Sequence, residues 1–366
     1  MDFRFTEEQE ALRGLAREIF ENEVTVERLK AIEASGEGVD AELWSRLAEA
    51  NLLGLAVPEA QGGMGMGFQE VCVLLQEMGR AVAPVPLLPV LVGAALALAK
   101  FGSEAQRDTW LSPLAKGEIL LAAGPIDALP LKAERSDGGW VLSGNCDHVA
   151  AVDRAKAVVL RASGDEGEFL AIVDTEAAGL RKSGSLTSRR EPVFRLELSN
   201  VAVAEDAVLE GTEIVRWTHQ RMLVALAATQ VGVSERSLEI TTAYLAEREQ
   251  FGAPLATLTA VQHRCADAYI ALDAMTWVTW MAVSRLDDGR DAAREAWAAK
   301  FWASEGGSKI ASAMQHLHAG IGVDMDYPIH RYFFFSKALE LALGSATVQL
   351  LGLGGDMART GPEEFE

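Results

Sequence analysis

The chain has 366 residues, 49% hydrophobic and 23% charged, which is long enough for two or three domains with a substantial core. Its 33 basic and 53 acidic residues give a net charge of −20, which argues against non-specific binding to nucleic acid or anionic lipid. An anionic small molecule remains compatible with this charge, because a local cationic pocket can lie in an acidic surface.

The cysteines and the apolar runs indicate the cellular setting. Cys72, Cys146 and Cys265 lie far apart in sequence and match neither a disulfide framework nor a zinc site. The start, MDFRFTEEQE, has no apolar signal core, and the longest uncharged run, 81–99, contains three prolines that would break a spanning helix. We therefore expect a soluble cytoplasmic protein with no membrane partner.

The first region, 1–117, has a helical pattern and is predicted to be an N-terminal helical domain. In TEEQEALRGLAREIFENEV, Thr6 and Gln9 have the spacing of a capping box. The segment DAELWSRLAEANLLGL has Asp40 as its expected N-cap and Gly54 as its expected end. A glycine-rich loop, PEAQGGMGMG, and another helix follow.

The middle region, 118–211, has the texture of a β domain. The runs GGWVLSG, KAVVLRA, EFLAIVD and FRLELSNVAV are short and rich in strand-forming residues, and Gly, Asp, Ser and Asn separate them. Short strands at this spacing predict a compact sheet or barrel.

The last region, 212–366, returns to long helices. MLVALAA, 222–228, is apolar on every side, which predicts a helix buried inside a bundle. Segments near 257–288, 291–318 and 330–351 supply its expected partners. The predicted fold is thus mainly α with a β middle domain and a C-terminal four-helix bundle.

Five of these segments, taken in order, resemble the acyl-CoA dehydrogenase family. At the front they are MDFRFTEEQEALR and LLGLAVPEAQGGMGMGFQE, the second like the family's Pro-Glu-x-x-Gly-Gly-x-Gly loop. GGWVLSG and NVAVAEDAVLEG resemble the β-domain hairpin and its exit. REQFGAPL matches an Arg-x-Gln-Phe-Gly signature, and QHLHAGIGVDMDYPIHRYF resembles a Gln-x-x-Gly-Gly-x-Gly segment.

The resemblance implies a mainly helical acyl-CoA dehydrogenase fold, FAD as cofactor and an acyl-CoA thioester as substrate. In the family a carboxylate takes the α proton while the flavin accepts a hydride from the β carbon. The FAD lies across a subunit interface. One chain's β domain and bundle hold the flavin ring, and the neighbour's bundle holds the adenosine diphosphate end.

The REQFG segment supplies the first set of expected cofactor-binding residues. Arg248 can offer a forked donor to pyrophosphate, and Gln250 a carboxamide to pyrophosphate or adenine. Phe251 belongs to the same motif, and Gly252 removes bulk where a ligand approaches. The alternative is an ordinary helix end with a surface arginine and a buried Phe251.

The QHLHAGIG segment supplies the second set. The segment follows a helix rather than a strand, so it is not a Rossmann fingerprint. Three histidines, His316, His318 and His330, lack a carboxylate or cysteine at ligand spacing, so we predict no metal site. Ala319 replaces the family's first glycine. The expected cofactor-binding residues here are Gln315, His318, Ala319, Gly320 and Gly322.

Both family positions for the catalytic base lack an acid. In the last helical region Leu343 stands where a glutamate is expected, and the alternative position at the start of the bundle falls on Met222. No Asp or Glu occurs in 214–234. A general base contributes roughly 10²–10⁴-fold to rate, so this loss is severe unless Glu340 or His219 substitutes. We therefore assign no catalytic residue.

The part expected to face the flavin is also altered. The family carries a Thr-Glu-Pro…Gly-Ser-Asp stretch and a Trp-Ile-Thr-Asn-like strand, where this chain has LAAGPIDALPLKAERSDGG and CDHVAAV. The hydroxyl and carboxamide donors for the isoalloxazine ring are largely missing from this sequence.

These differences predict the non-catalytic subunit of a heteromeric acyl-CoA dehydrogenase, similar to the paired subunits of α2β2 enzymes that degrade steroid side chains in actinobacteria. The homologous partner would hold flavin, base and most of the acyl-CoA. Two alternatives stay open: a homo-oligomeric enzyme with a displaced base such as Glu340, and a flavin-free binding or scaffold subunit.

Overall fold

A computed structural model describes residues 5–361, apart from the side chain of Thr212. The predicted mainly α fold with a central β region is confirmed. The α-helices of the described residues are α1 Glu7–Glu23, α2 Val26–Ser35, α3 Ala41–Glu49, α4 Phe68–Ala81, α5 Leu96–Phe101, α6 Glu104–Ala115, α7 Thr212–Glu247, α8 Thr259–Asp287, α9 Ala293–Leu317, α10 Ile329–Leu341 and α11 Ala346–Thr360.

The strands form one large sheet and one short hairpin. The sheet has the order β6-β7-β3-β2-β4-β5-β8, with β1 pairing in parallel with β4. The long strands β3 and β7 are antiparallel, with register shifts near Gly144 and after Cys146. The strands are β1 Leu121–Ala123, β2 Leu131–Ser136, β3 Gly139–Ala150, β4 Ala157–Gly164, β5 Gly167–Asp174, β6 Leu180–Leu186, β7 Pro192–Ala204, β8 Val208–Leu209, β9 Glu249–Gln250 and β10 Ala253–Pro254.

The N-terminal helix signals are confirmed with one exception. The Thr6 hydroxyl accepts from the Gln9 N–H while the Gln9 side chain accepts from the Thr6 N–H, which completes the capping box of α1. The Asp40 carboxylate accepts from two N–H groups of α3. The predicted end at Gly54 is wrong: α3 ends at Glu49, and Asn51, at φ 57°, takes the left-handed position.

The chain divides into two compact units that do not follow the sequence order. One unit contains Met1–Val26, Cys72–Ala83 and Leu223–Glu366, and the other contains Glu27–Val71 and Pro84–Met222. The second unit carries β1–β8, and five of the eight residues in each of the strands β4 and β5 are buried. It also includes a π-helical segment, Leu88–Ala95, in the apolar, proline-containing run.

The first unit contains the helical bundle. The apolar MLVALAA segment of α7 is buried, as predicted, and α9 packs against α8, α10 and α11. The segment predicted as a single helix near 330–351 is instead two helices. Leu343 and Gly344 lie between them with φ of 53° and 90°, a backbone that no α-helix can contain.

Within the described residues, one stretch, Ile329–Thr360, is long and apolar enough for a membrane span. This is weak evidence, because helices of proteins that never enter a membrane meet the same criterion. The stretch includes the break at Leu343.

Two glycines bring α4 and α7 into direct backbone contact. A Cβ at Gly232 would lie 1.9 Å from the Gln76 carbonyl oxygen, and one at Gly79 would lie 2.3 Å from the Thr229 carbonyl oxygen. Neither position tolerates a side chain unless the helices separate.

Ion pairs surround this helix contact. Arg80 forms a two-pronged pair with Glu239 at 3.0 Å and reaches Glu235 at 3.2 Å. The buried Glu77 carboxylate accepts two hydrogen bonds from Arg17 of α1, at 2.9 and 2.7 Å. Burial raises the pKa of Glu235. The hydrogen bond that Glu235 accepts from Gln76 and the charge of Arg80 act in the opposite direction. The network therefore ties α1, α4 and α7 together.

The glycine contact yields a stability prediction. Gly232→Ala should lower the free energy of unfolding by about 1–3 kcal/mol, because the added methyl group overlaps backbone rather than a movable side chain. Gly354→Ala is the matched control in α11: nothing lies within 4 Å of its Cβ, so we expect about 0.4–1 kcal/mol of stabilisation. Urea denaturation measures both. Equal effects of the two variants would contradict the proposed role of the glycine contact.

Candidate functional site

The REQFG segment forms a tight hairpin directly after α7. β9 and β10 pair antiparallel, Gln250 with Ala253 and Glu249 with Pro254. The two residues at the tip, Phe251 and Gly252, have φ of 56° and 79°. Positive φ at both central residues is the pattern of a type I′ turn, in which phenylalanine is strained.

The hairpin presents its side chains outward. The Phe251 ring is 93% exposed, so the alternative with a buried Phe251 does not hold. Arg248 is exposed, and its guanidinium makes no hydrogen bond or ion pair with the described part of the chain. Gln250 donates to the Glu249 carbonyl at 2.8 Å, and nothing lies within 4 Å of a Cβ at Gly252. The guanidinium of Arg248, the carboxamide of Gln250 and the open space at Gly252 are thus available to a ligand.

The second predicted segment is a 3₁₀ turn, Ala319–Val323, that follows α9. The Gln315 amide donates to the Gly322 carbonyl oxygen and closes the turn, while its own side-chain oxygen is buried without a hydrogen-bond partner. A Cβ at Gly322 would lie 2.8 Å from the Gln315 carbonyl oxygen, whereas the corresponding space at Gly320 is open. Gly322 therefore serves closure of the loop, and Gly320 leaves room beside it.

The spacing of the motif is also informative. If Ala319 occupies the position of the motif's first glycine, the position of the motif's glutamine, three residues earlier, is occupied by His316. Gln315 lies one residue before that position. His316 is exposed, whereas Gln315 is directed into the loop. Direct contact of Gln315 with a cofactor stays a prediction, and its unpartnered oxygen is the atom available for it.

His318 is buried, 1% exposed, between the two segments. Its ring stacks on Tyr244 of α7 with centroids 4.6 Å apart and an interplanar angle of 22°. Its Nδ1 lies 2.9 Å from the Met314 carbonyl oxygen, and its Nε2 lies 3.2 Å from the Tyr327 hydroxyl. Burial lowers the pKa of His318, which favours the neutral ring. Sequence analysis missed both tyrosines.

The backbone at the first expected base position is held by a buried lysine. Leu343, at φ 53°, is itself buried. Lys300 Nζ donates to Ser304 Oγ at 2.6 Å and to the carbonyl oxygens of Glu340 and Gly344, both at 3.2 Å. These contacts fix the turn on both sides of a side chain that cannot accept a proton.

The other acid–base candidates have ordinary surroundings. The Glu340 carboxylate forms an ion pair with Lys337, which also donates to Ser308 at 3.1 Å. Met222 is buried. Burial lowers the pKa of His219; Asp127 opposes this shift and Arg161 adds to it. The lowered pKa favours the neutral imidazole of His219, which is the form able to accept a proton.

The loop 124–130, which replaces the family's flavin-facing stretch, is tied to its own sheet. Arg161 of β4 donates to the carbonyl oxygens of Ile126 and Ala128 at 3.2 and 3.3 Å. A Cβ at Gly124 would lie 2.8 Å from the Cys146 sulfur, and burial raises the pKa of that thiol to about 11. The segment is a compact turn whose carbonyls are already occupied.

Over residues 5–361, no group of three or more His, Cys, Asp or Glu side chains is arranged to hold a metal ion. His318 and His330 instead use their Nδ1 atoms on backbone carbonyl oxygens, at 2.9 and 2.7 Å.

Comparison with known proteins identifies the family. The profile of the acyl-CoA dehydrogenase N-terminal domain matches residues 6–118, and that of the C-terminal domain matches residues 210–356. The chain belongs to the acyl-CoA dehydrogenase family, whose members are flavoprotein oxidoreductases with FAD as cofactor. Two relatives from Mycobacterium tuberculosis are the acyl-CoA dehydrogenases FadE27, 34% identical, and FadE28, 30% identical. Both alignments cover 98% of this chain and all of the relative.

Solved structures give a finer likeness. A variant of the Tcur3481-Tcur3483 steroid acyl-CoA dehydrogenase is 43% identical with a TM-score of 0.92, over 96% of this chain and 98% of that one. The ChsE4-ChsE5 complex from Mycobacterium tuberculosis contains a chain that is 33% identical with a TM-score of 0.95, over 99% of this chain and 100% of that one. Both of these structures are named for two different chains.

The strained, exposed ring at the hairpin tip makes a second stability prediction. Phe251→Asn should leave the free energy of unfolding of the isolated chain unchanged or raise it by up to about 1 kcal/mol, because asparagine tolerates positive φ. Phe20→Asn, at a buried position of α1, should cost at least about 3 kcal/mol. Denaturation at two protein concentrations separates folding from self-association. A loss above about 1 kcal/mol for Phe251→Asn would mean that the ring packs within the chain.

The buried neutral His318 predicts a pH dependence of stability. The pKa of His318 is lower in the folded than in the unfolded chain, so below about pH 6.5 the unfolded state binds more protons. The free energy of unfolding therefore decreases as the pH is lowered below about 6.5. The contribution is at most about 1.4 kcal/mol per pH unit. His318→Phe should show a shallower fall in unfolding free energy between pH 6.5 and 5.5. Identical slopes for variant and wild type would refute this assignment.

Proposed function

We propose that this chain is the non-catalytic subunit of a heteromeric, FAD-dependent acyl-CoA dehydrogenase. The observation that carries the proposal is the hairpin after α7, whose arginine, carboxamide and strained phenylalanine are all directed away from the chain. A backbone strain of this kind persists when surrounding structure or function requires it. Here the requirement is the adenosine diphosphate end of an FAD bound by the partner subunit.

The residues present fit one half of the cofactor. Arg248 supplies a forked cationic donor for pyrophosphate, and Gln250 supplies a carboxamide. Gln315 has an unpartnered buried oxygen beside the open space at Gly320. His318, Ala319 and Gly322 form the turn that contains Gly320 and contacts Gln315. The flavin supplies hydride acceptance when bound.

The flavin half does not fit this chain. Loop 124–130 offers apolar side chains and the carboxylate of Asp127, and its carbonyls at Ile126 and Ala128 accept hydrogen bonds from Arg161. Leu129, at 88% exposed, projects from it. The hydroxyl and amide donors that would hold an isoalloxazine ring belong to the partner.

The base also belongs to the partner. Leu343 and Met222 cannot accept a proton, and Glu340 is engaged by Lys337. His219 is the residue of this chain that keeps a second function open: a homo-oligomeric dehydrogenase with a displaced base. The observation that favours this alternative is the burial of His219, which lowers its pKa and favours the neutral imidazole that can accept a proton.

We propose a homologous catalytic chain as the partner, in an α2β2 assembly with half the usual number of flavins. The likeness to the Tcur3481-Tcur3483 and ChsE4-ChsE5 pairs supports this assembly. The likeness to the steroid enzyme supports, as substrate, an acyl-CoA thioester whose acyl group is a steroid side chain, bound mainly by the partner. The chain would act in the cytoplasm and be organised as a helical domain 1–117, a β domain 118–211 and a bundle 212–366.

The test is co-expression with a homologous chain that carries a glutamate at one of the two expected base positions. We expect a colourless, inactive chain alone and a yellow, active complex with one FAD per pair of unlike chains, measured by the flavin spectrum and by dehydrogenation of a steroid acyl-CoA. A yellow and active chain alone would favour the homo-oligomeric enzyme. A complex without flavin or activity would favour the scaffold subunit.

A charge substitution tests the hairpin itself. Arg248→Ala should weaken FAD binding to the complex by about ten- to a hundredfold, because a charge-assisted contact contributes ~1.5–3 kcal/mol. Arg290→Ala removes the same charge from an exposed position between α8 and α9 and should leave FAD affinity unchanged. An equal loss of FAD affinity in Arg248→Ala and Arg290→Ala would mean that only the net charge of the chain matters, and would contradict a direct contact of Arg248 with FAD.

A further inference from the structure

Two residues that lie outside both sequence motifs connect the REQFG hairpin with the 3₁₀ turn. Tyr244 precedes Arg248 by one helical turn, and its carbonyl oxygen accepts the Arg248 N–H at 2.8 Å. Tyr327 follows the turn Ala319–Val323 by four residues. Both rings contact His318. The Tyr244 ring is stacked on it with a centroid distance of 4.6 Å, the Tyr327 ring is tilted by 50° at 5.1 Å, and the two tyrosine rings lie 6.2 Å apart.

Hydrogen bonds define the orientation of the central ring. Nδ1 of His318 faces the Met314 carbonyl oxygen, which can only accept, so Nδ1 carries the hydrogen. Nε2 of the neutral ring is then an acceptor, and the Tyr327 hydroxyl donates to it. Tyr327 is held in turn from the other side, since its carbonyl oxygen lies 2.7 Å from Nδ1 of His330. The stack therefore has one arrangement.

We propose that the Tyr244–His318–Tyr327 stack positions the two dinucleotide-binding segments relative to each other, and that Tyr244 and Tyr327 are positioning residues for FAD. This inference rests on the proposed function. Tyr244 fixes the helix end from which Arg248 extends, and Tyr327 with His318 fixes the turn that carries Gly320. The two segments are about seventy residues apart in sequence, so their relative placement needs a tertiary contact.

The energetic reason is preorganisation. The hairpin consists of two paired residues on each strand, and the side chains of Phe251 and Arg248 are exposed within residues 5–361. A ligand that had to order both segments would lose part of its binding free energy to that ordering. A fixed stack removes this cost before the ligand arrives.

The experiment uses the complex of this chain with its catalytic partner and measures FAD affinity by flavin fluorescence. Tyr327→Phe removes the hydroxyl that donates to His318, and we expect FAD affinity to fall roughly fivefold, the equivalent of one hydrogen bond. Tyr332→Phe is the matched control. It removes a hydroxyl that donates to the Arg80 carbonyl at 2.8 Å, away from both segments, and should leave FAD affinity unchanged.

A second pair of variants tests the ring stack. Tyr244→Phe keeps an aromatic face on His318 and should keep FAD affinity within about twofold, whereas Tyr244→Leu should weaken it by about tenfold. Tm is measured for every variant. If Tyr327→Phe and Tyr244→Leu lower Tm but leave FAD affinity at the wild-type value, the stack is only core packing and the inference fails.

The outcomes separate this inference from the proposed function. A wild-type complex without FAD contradicts the proposed function itself. A complex that binds FAD equally well with and without the stack contradicts only the positioning role. A selective loss of affinity in Tyr327→Phe and Tyr244→Leu, with Tyr332→Phe and Tyr244→Phe unchanged, supports it.

Discussion

The close approach of α4 and α7 is the constraint on which the helical unit depends. Gly232 and Gly79 let the two backbones touch, and the Arg80–Glu239 and Arg17–Glu77 pairs surround that contact. α7 is 36 residues long, and one contact zone near its middle fixes its axis. The hairpin at its C-terminal end is positioned by that axis, because a helix transmits orientation along its length.

Three of the nine non-glycine residues with positive φ in the described part of the chain lie in the two predicted cofactor-binding segments or at an expected base position. Phe251, Ala319 and Leu343 all have positive φ although none is glycine. Each is held by neighbours: Ala319 by the His318 stack, Leu343 by Lys300 and Gln349, and Phe251 by the pairing of β9 with β10. At Phe251 and Ala319 the strain coincides with the proposed cofactor contacts. At Leu343 the strained turn lies at the position where we expect the family's base, and the leucine side chain has no acid–base chemistry.

Local signals in the sequence predicted local structure well. The capping box of Thr6 and Gln9 and the Asp40 cap form because residues within three positions satisfy their hydrogen bonds. The four strand runs are predicted by their strand-forming residues, although their hydrogen bonds come from other strands, as between β3 and β7. The break at Leu343 was missed, because leucine favours the helix and the turn is imposed by the distant Lys300. The hairpin was missed for a similar reason, since phenylalanine rarely occupies a left-handed position.

Residue identity and spacing in the sequence are enough to assign the family and the order of helical and β regions, and they predict that no acid stands at the two positions expected for the base. Only the tertiary structure decided that Phe251 is exposed, that Gln315 is directed into its loop and that Tyr244 contacts His318. Exposure and ring contact depend on which distant segments meet. The physical reason is that segments seventy residues apart are brought together by packing, which no local pattern encodes.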